Sequence, residues 1–214
     1  MKVLNENFVN LYNRWKTGGS RIEDKISIGE FINSRGNKES YYIDENGLVS
    51  CKSIVSISNK DLVDGKLPVK FGKVEGHFDL SSCSRLTSLE GCPYYVGKDF
   101  DLSCCCDLTS LKYFPKEVGG NIILYGCSGL KSLVGLPNVC NSNITITGCN
   151  ALESFKGLPE KIVGNLSFQK YKGIDSLDGF PKEIMGDVHK IDSQFEIDDI
   201  KSVCKVGGRI SKYG

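Results

Sequence analysis

The chain has 214 residues, 40% of them hydrophobic, and 27 Lys and Arg set against 26 Asp and Glu leave a net charge of +1. That length allows one domain with a sizeable core and terminal caps, and the charge balance removes the bulk positive field on which nonspecific nucleic-acid or acidic-membrane binding depends. No apolar run approaches the roughly 20 residues that span a bilayer, and Met1 to Glu6 lead into mixed polar sequence instead of a signal-peptide stretch. A cytoplasmic protein is expected, with neither nucleic acid nor membrane among its partners.

In chain order, Phe8, Leu11, Tyr12 and Trp15 fall at the i, i+3, i+4, i+7 spacing of one helix face, with Gly18-Gly19 as the stop. Ser27 to Glu30 has capping-box spacing for a second short helix ending near Gly36. Residues 1–40 thus read as a helical N-terminal cap or arm, and Trp15, with Arg14, Lys16 and Arg21 near it, makes that arm an alternative partner-binding element. Asp44-Glu45-Asn46-Gly47 reads as the tight turn of a hairpin that covers the first strand edge. Residues 41–76 form a degenerate leading repeat, in which Leu48, Cys51, Ile54, Ser56 and Ile57 carry a spacing that becomes regular downstream.

Residues 77–190 contain five 22-residue units. Pro93, Pro115, Pro137, Pro159 and Pro181 keep that interval, as do Leu86, Leu108, Leu130, Leu152 and Ile174. With Φ for a large apolar residue, the unit is Φ-x-Φ-x-x-C-x-x-L-x-S-L-x-G-x-P-x-x-V followed by three variable residues. Φ-x-Φ alternates as a strand with one buried face does, whereas Gly and Pro in the second half turn the chain back as an irregular return. Cys83, Cys105, Cys127 and Cys149 share one slot with Cys51 placed before them, and Tyr171 fills it in the fifth unit. Ten cysteines without an export signal read as reduced thiols, those at 83, 105, 127 and 149 buried in that slot and Cys104 and Cys106 more reactive. Residues 191–214 read as a helical C-terminal cap, since Phe195, Ile200, Val203 and Val206 make one apolar side before Gly207-Gly208.

The L-x-x-C-x-x-L-x-S-L core, the 22-residue length and the Pro-rich return resemble the leucine-rich repeat family over residues 78 to about 188. LTSLEGCPYYVGKDFDLSCC and LPVKFGKVEGHFDLSSC are similar to a group of bacteriophage-encoded members. The resemblance implies an α/β repeat fold: a leucine-rich repeat solenoid with a short-stranded parallel sheet, an irregular Pro/Gly-rich convex side and helical terminal caps. Cysteine in place of the family's usual asparagine implies that a side-chain amide ladder in that slot is missing.

Candidate chemistry is sparse. Cys104-Cys105-Cys106 includes no Cys-x-x-Cys pair, and successive strand residues face opposite ways, so metal binding is not expected. His77 and His189 lie five units apart, roughly 24 Å at about 4.8 Å per strand, although His77 near Cys83 or Cys104 is a conceivable pair. Val118-Gly119-Gly120-Asn121 lacks the Lys-Ser/Thr of a phosphate loop, and the column Asp99, Asn121, Asn143, Asn165, Asp187 reads as a turn-stabilising set. No catalytic constellation and no cofactor are expected.

What remains is a surface. If Φ-x-Φ faces the core, the concave strand face presents Asp79, Asp101, Ile123 and Thr145 beside Tyr125, Thr147 and Gln169. These residues, with Trp15 on the arm, are the candidate partner-binding set. The sequence therefore reads as a non-catalytic protein-binding module, phage-encoded by its phrasing, that binds and inhibits or redirects a host protein such as a defence factor. A structural virion or assembly component is the alternative.

Overall fold

The computed structural model describes residues 41–169 and 171–212; the two helices expected in residues 1–40, and Trp15, lie outside the described residues. The strand Val55–Ser56 begins a parallel sheet of eight short strands that ends with Ile210–Ser211. From Phe78 onward the paired positions advance by 22 residues, Phe78 to Phe100, Ile122, Ile144, Leu166, Val188 and Ile210. The chain is a β-solenoid whose alternating strand pattern buries the first residue of each pair and turns the second outward.

The return half of each turn was expected to be irregular, but it carries a second strand. Tyr95–Val96, Glu117–Val118, Val139–Cys140, Lys161–Ile162 and Glu183–Ile184 each bury their second residue, which stacks on its counterpart one turn away. A pair of residues is too short to show periodicity, so only the apolar column at Val96, Val118 and Ile162 hinted at it. The described residues contain a single helix, Ile197–Val203, and the α/β character and C-terminal helical cap are corrected accordingly. That helix forms where the punctuation fails, because Glu196 and Asp199 stand in the two leucine columns and Val203 in the proline column. Glu196 and Asp199 bond reciprocally as a capping box. The stack does not close there: Lys205–Val206 and Ile210–Ser211 add another turn in the same register.

At the N-terminal end, Tyr41–Ile43 pairs antiparallel with Val49–Cys51 across a turn in which Asp44 Oδ1 accepts the Asn46 and Leu48 amides, as the sequence led one to expect. The leading unit differs from its reading. Val55 pairs with Phe78, so Val55 and Ile57 are its inward strand residues, while Ile54 is 49% exposed. Cys51 is buried but pairs with Val74 in the second face, outside the slot of the later cysteines.

Two side-chain ladders fasten one turn to the next. The Cys83, Cys105, Cys127 and Cys149 thiols donate to the carbonyls of Ile57, Leu80, Leu102 and Leu124 at 3.0–3.3 Å, and the Tyr171 hydroxyl makes the same bond to Ile146. At another corner each Asp or Asn side-chain oxygen accepts the backbone amide one turn on, from Asp99 with Asn121 at 2.6 Å to Asp187 with Arg209 at 2.7 Å. An amide ladder is thus present after all, displaced from the cysteine slot. It needs glycine beside it, since a Cβ at Gly120, Gly164, Gly186 or Gly208 would run into the side-chain oxygen one turn back. Where Asn141-Ser142 replaces the glycine pair, the Asn143 amide stands off to 3.3 Å and the Ser142 hydroxyl donates to Asn121 instead. The second face is interrupted at that turn, into five strands before it and four after.

Candidate interaction surface

The outward column of the eight-stranded sheet runs through Asp79, Asp101, Ile123, Thr145, Ser167 and His189, all partly exposed. Its acidic end is tied down. Asp79 Oδ1 accepts the Ser81 amide at 2.8 Å and Asp101 Oδ1 the Ser103 amide at 2.7 Å, while Asp79 Oδ2 takes the Ser56 hydroxyl at 3.2 Å. Each acid therefore fixes the corner where its strand ends and still points its charge outward. The Asp-x-Ser pattern carried that signal, because Asp readily bonds the amide two residues on.

Mid-sheet, Tyr125 is 55% exposed and Ile123 half-buried beside the half-buried Thr145. Thr147, expected outward in the same column as Tyr125, is buried at 6% exposure, a short side chain between Tyr125 and Gln169 with long ones. Gln169 donates to Asn150 at 2.9 Å, which holds it across this corner. The structure so brings Asp101, Ile123, Tyr125, Thr145 and Gln169 onto one face and takes Thr147 out of it. Exposed aromatics are not confined there, since Tyr42 and Tyr94 stand 66% and 56% exposed elsewhere.

The conceivable Cys–His pair does not form. His77 Nδ1 lies 3.3 Å from Asp99 Oδ2, and the Cys83 thiol is engaged with Ile57. Burial pushes the Cys51, Cys83 and Cys204 thiols up to about 11 and raises Cys105 further, so these sulfurs stay protonated and poorly nucleophilic. Cys104 is half-buried and Cys106 exposed, but both lie in turns beyond the strand Phe100–Asp101 and not, as the sequence suggested, on opposite faces of a strand. Among the described residues no group of three or more His, Cys, Asp or Glu is arranged to hold a metal ion, and no helix is long and apolar enough to cross a membrane.

Sequence reasoning missed one feature. Lys190 sits in the inward column that Leu80, Leu102, Leu124, Ile146 and Phe168 fill in earlier turns, and it is 2% exposed. Extending that column by one more interval would have exposed the substitution. No protein-family model, curated protein or solved structure matches the chain, so the functional reading rests on the surfaces described above.

Proposed function

We propose that this protein is a non-catalytic recognition module of the leucine-rich repeat type, which occupies a protein partner with the outer face of its eight-stranded sheet. The observation that carries the reading is Tyr125, 55% exposed at mid-sheet with Ile123 beside it and Asp79 and Asp101 at one end. Aromatic anchors near the centre of a face are where interfaces concentrate energy, and outward carboxylates steer a basic partner. The resemblance of the repeats to phage-encoded members supports a partner in a bacterial host's cytoplasm, such as a defence factor, by analogy alone. Affinity capture from the host with the tagged chain, repeated with Tyr125→Ala combined with Ile123→Ser, tests the reading. The double variant is expected to weaken partner binding by about 2 kcal/mol with an unchanged melting profile. Unchanged binding, together with its loss on removing residues 1–36, moves the site to the N-terminal arm and Trp15.

One observation favours the alternative of a virion or assembly component. Val206 and Ile210, in the last described turn of the stack, are only half-buried, an apolar surface suited to stacking. Protein counts in purified particles separate the two readings, since a structural part is present at stoichiometric copy number.

A further inference from the structure

The last turns break a pattern that holds through the rest of the core. The apolar column ending in Ile146 and Phe168 continues at the same interval as Lys190 and Lys212, and the thiol slot ending in Cys149 and Tyr171 continues as Ser193. Lys190, Ser193 and Lys212 line a cleft of about 260 Å³ together with Asp192 and Glu196. A polar end is what any solenoid needs where its stack stops, but a simple cap leaves its charges in water, as Lys212 does. Lys190 is different: it is 2% exposed, and among the described residues its ammonium has no hydrogen-bond or ion-pair partner.

A buried charge without a partner is strongly unfavourable, and the usual remedy is a counter-charge with hydrogen bonds. The chain does not supply it. The Glu196 carboxylate accepts the amide at the third helical residue, Asp199, and Asp192 makes no ion pair with either lysine. Lys190 and Lys212 therefore share the cleft with the Asp192 and Glu196 carboxylates, and neither lysine forms an ion pair with them. The Ser193 oxygen accepts the Phe195 amide at 3.2 Å, which leaves its O–H free to donate. We propose that this C-terminal cleft binds a small oxyanion, a phosphate or a carboxylate, with Lys190 as the buried counter-charge, Lys212 at the rim and the Ser193 hydroxyl donating to a further oxygen. A lysine ammonium suits either group as a point charge.

Calorimetric titration of the full chain at constant ionic strength, with inorganic phosphate in one arm and citrate in the other against a chloride control, tests this. Saturable one-site binding in at least one arm is expected, and the arm that binds identifies the oxyanion. Lys190→Met is expected to weaken it by about tenfold or more. In buffer free of both anions the same variant melts no lower than the parent, because it removes an unpaired buried charge. Should Lys190→Met not fold, Lys212→Ala decides the matter, since its side chain is exposed and its removal is expected to weaken binding about threefold or more. The absence of saturable heat in both arms overturns the proposal. So does affinity unchanged in the lysine variants, which marks an adventitious ion only.

Discussion

The Asp101 carboxylate points outward yet accepts the Ser103 amide, so its charge and its hydrogen bond are separable by substitution. Asp101→Asn keeps an acceptor oxygen and should leave the melting temperature unchanged, while association with a basic partner slows and loses salt dependence. Asp101→Ala removes the acceptor as well and should cost about 1 kcal/mol of stability, read by chemical denaturation. Equal stability of the two variants would remove the corner bond from this account. At this scale the sequence was informative about direction more than environment. The outward facing of Asp101 and Tyr125 followed from the alternation of one strand, whereas the burial of Thr147 depends on side-chain lengths in the turns above and below. Lys190 is the reverse case: it stands in the 22-residue register after Phe168, but a charged residue there reads as the end of the apolar column, not as part of it.

For the elements, the interruption at Asn141-Ser142 has a measurable signature. The Glu160 and Val163 amides bond back to Asn138 and Cys140, at 3.1 and 2.8 Å, but no equivalent bonds join Asn138 and Asn141 to the turn before them. Hydrogen exchange should therefore be fast at Asn138 and Asn141 and slow at Glu160 and Val163. Similar protection at all four amides would mean that the second face is continuous in solution. The eight-stranded sheet was legible because Φ-x-Φ alternates and recurs. The return strand was not, because its position is set by stacking on the turn before it and leaves no local pattern of its own. The sequence around helix Ile197–Val203 carries a helical apolar face, but not the sign that the stack goes on, because the pairs Lys205–Val206 and Ile210–Ser211 are too short to show the strand period.

Across the whole molecule, stability comes from stacking, so damage at one level is felt in its neighbours. Leu130→Ala, in a fully buried central position, should cost about 2–5 kcal/mol through the cavity it leaves, while exposed Lys131→Ala costs little. Equal thermal melts would place the register in error. The buried thiols add a pH limit. Folding holds Cys83 neutral and raises its pKa from 9.0 to about 11, so the protonated thiol is the form that the fold favours. Its contribution is complete below about pH 9 and is lost as pH climbs through 11. Denaturation at stepped alkaline pH should show that decline, and Cys83→Ala should make it shallower.

The ladder of Asp and Asn side chains also bears on how such a chain lengthens. Every rung joins an acceptor carried by one turn to a donor carried by the next, and in all but the Asn121–Asn143 rung glycine keeps the space between them. A duplicated block of residues 100–121 brings one acceptor, one donor, its own thiol rung and its own glycine pair. Inserted after Asn121, it satisfies the turn it follows and offers the turn it precedes the groups that turn already used. Copy number in this architecture is therefore nearly neutral to hydrogen bonding, and tandem duplication extends the outer face by about 4.8 Å per event without redesign of any existing turn.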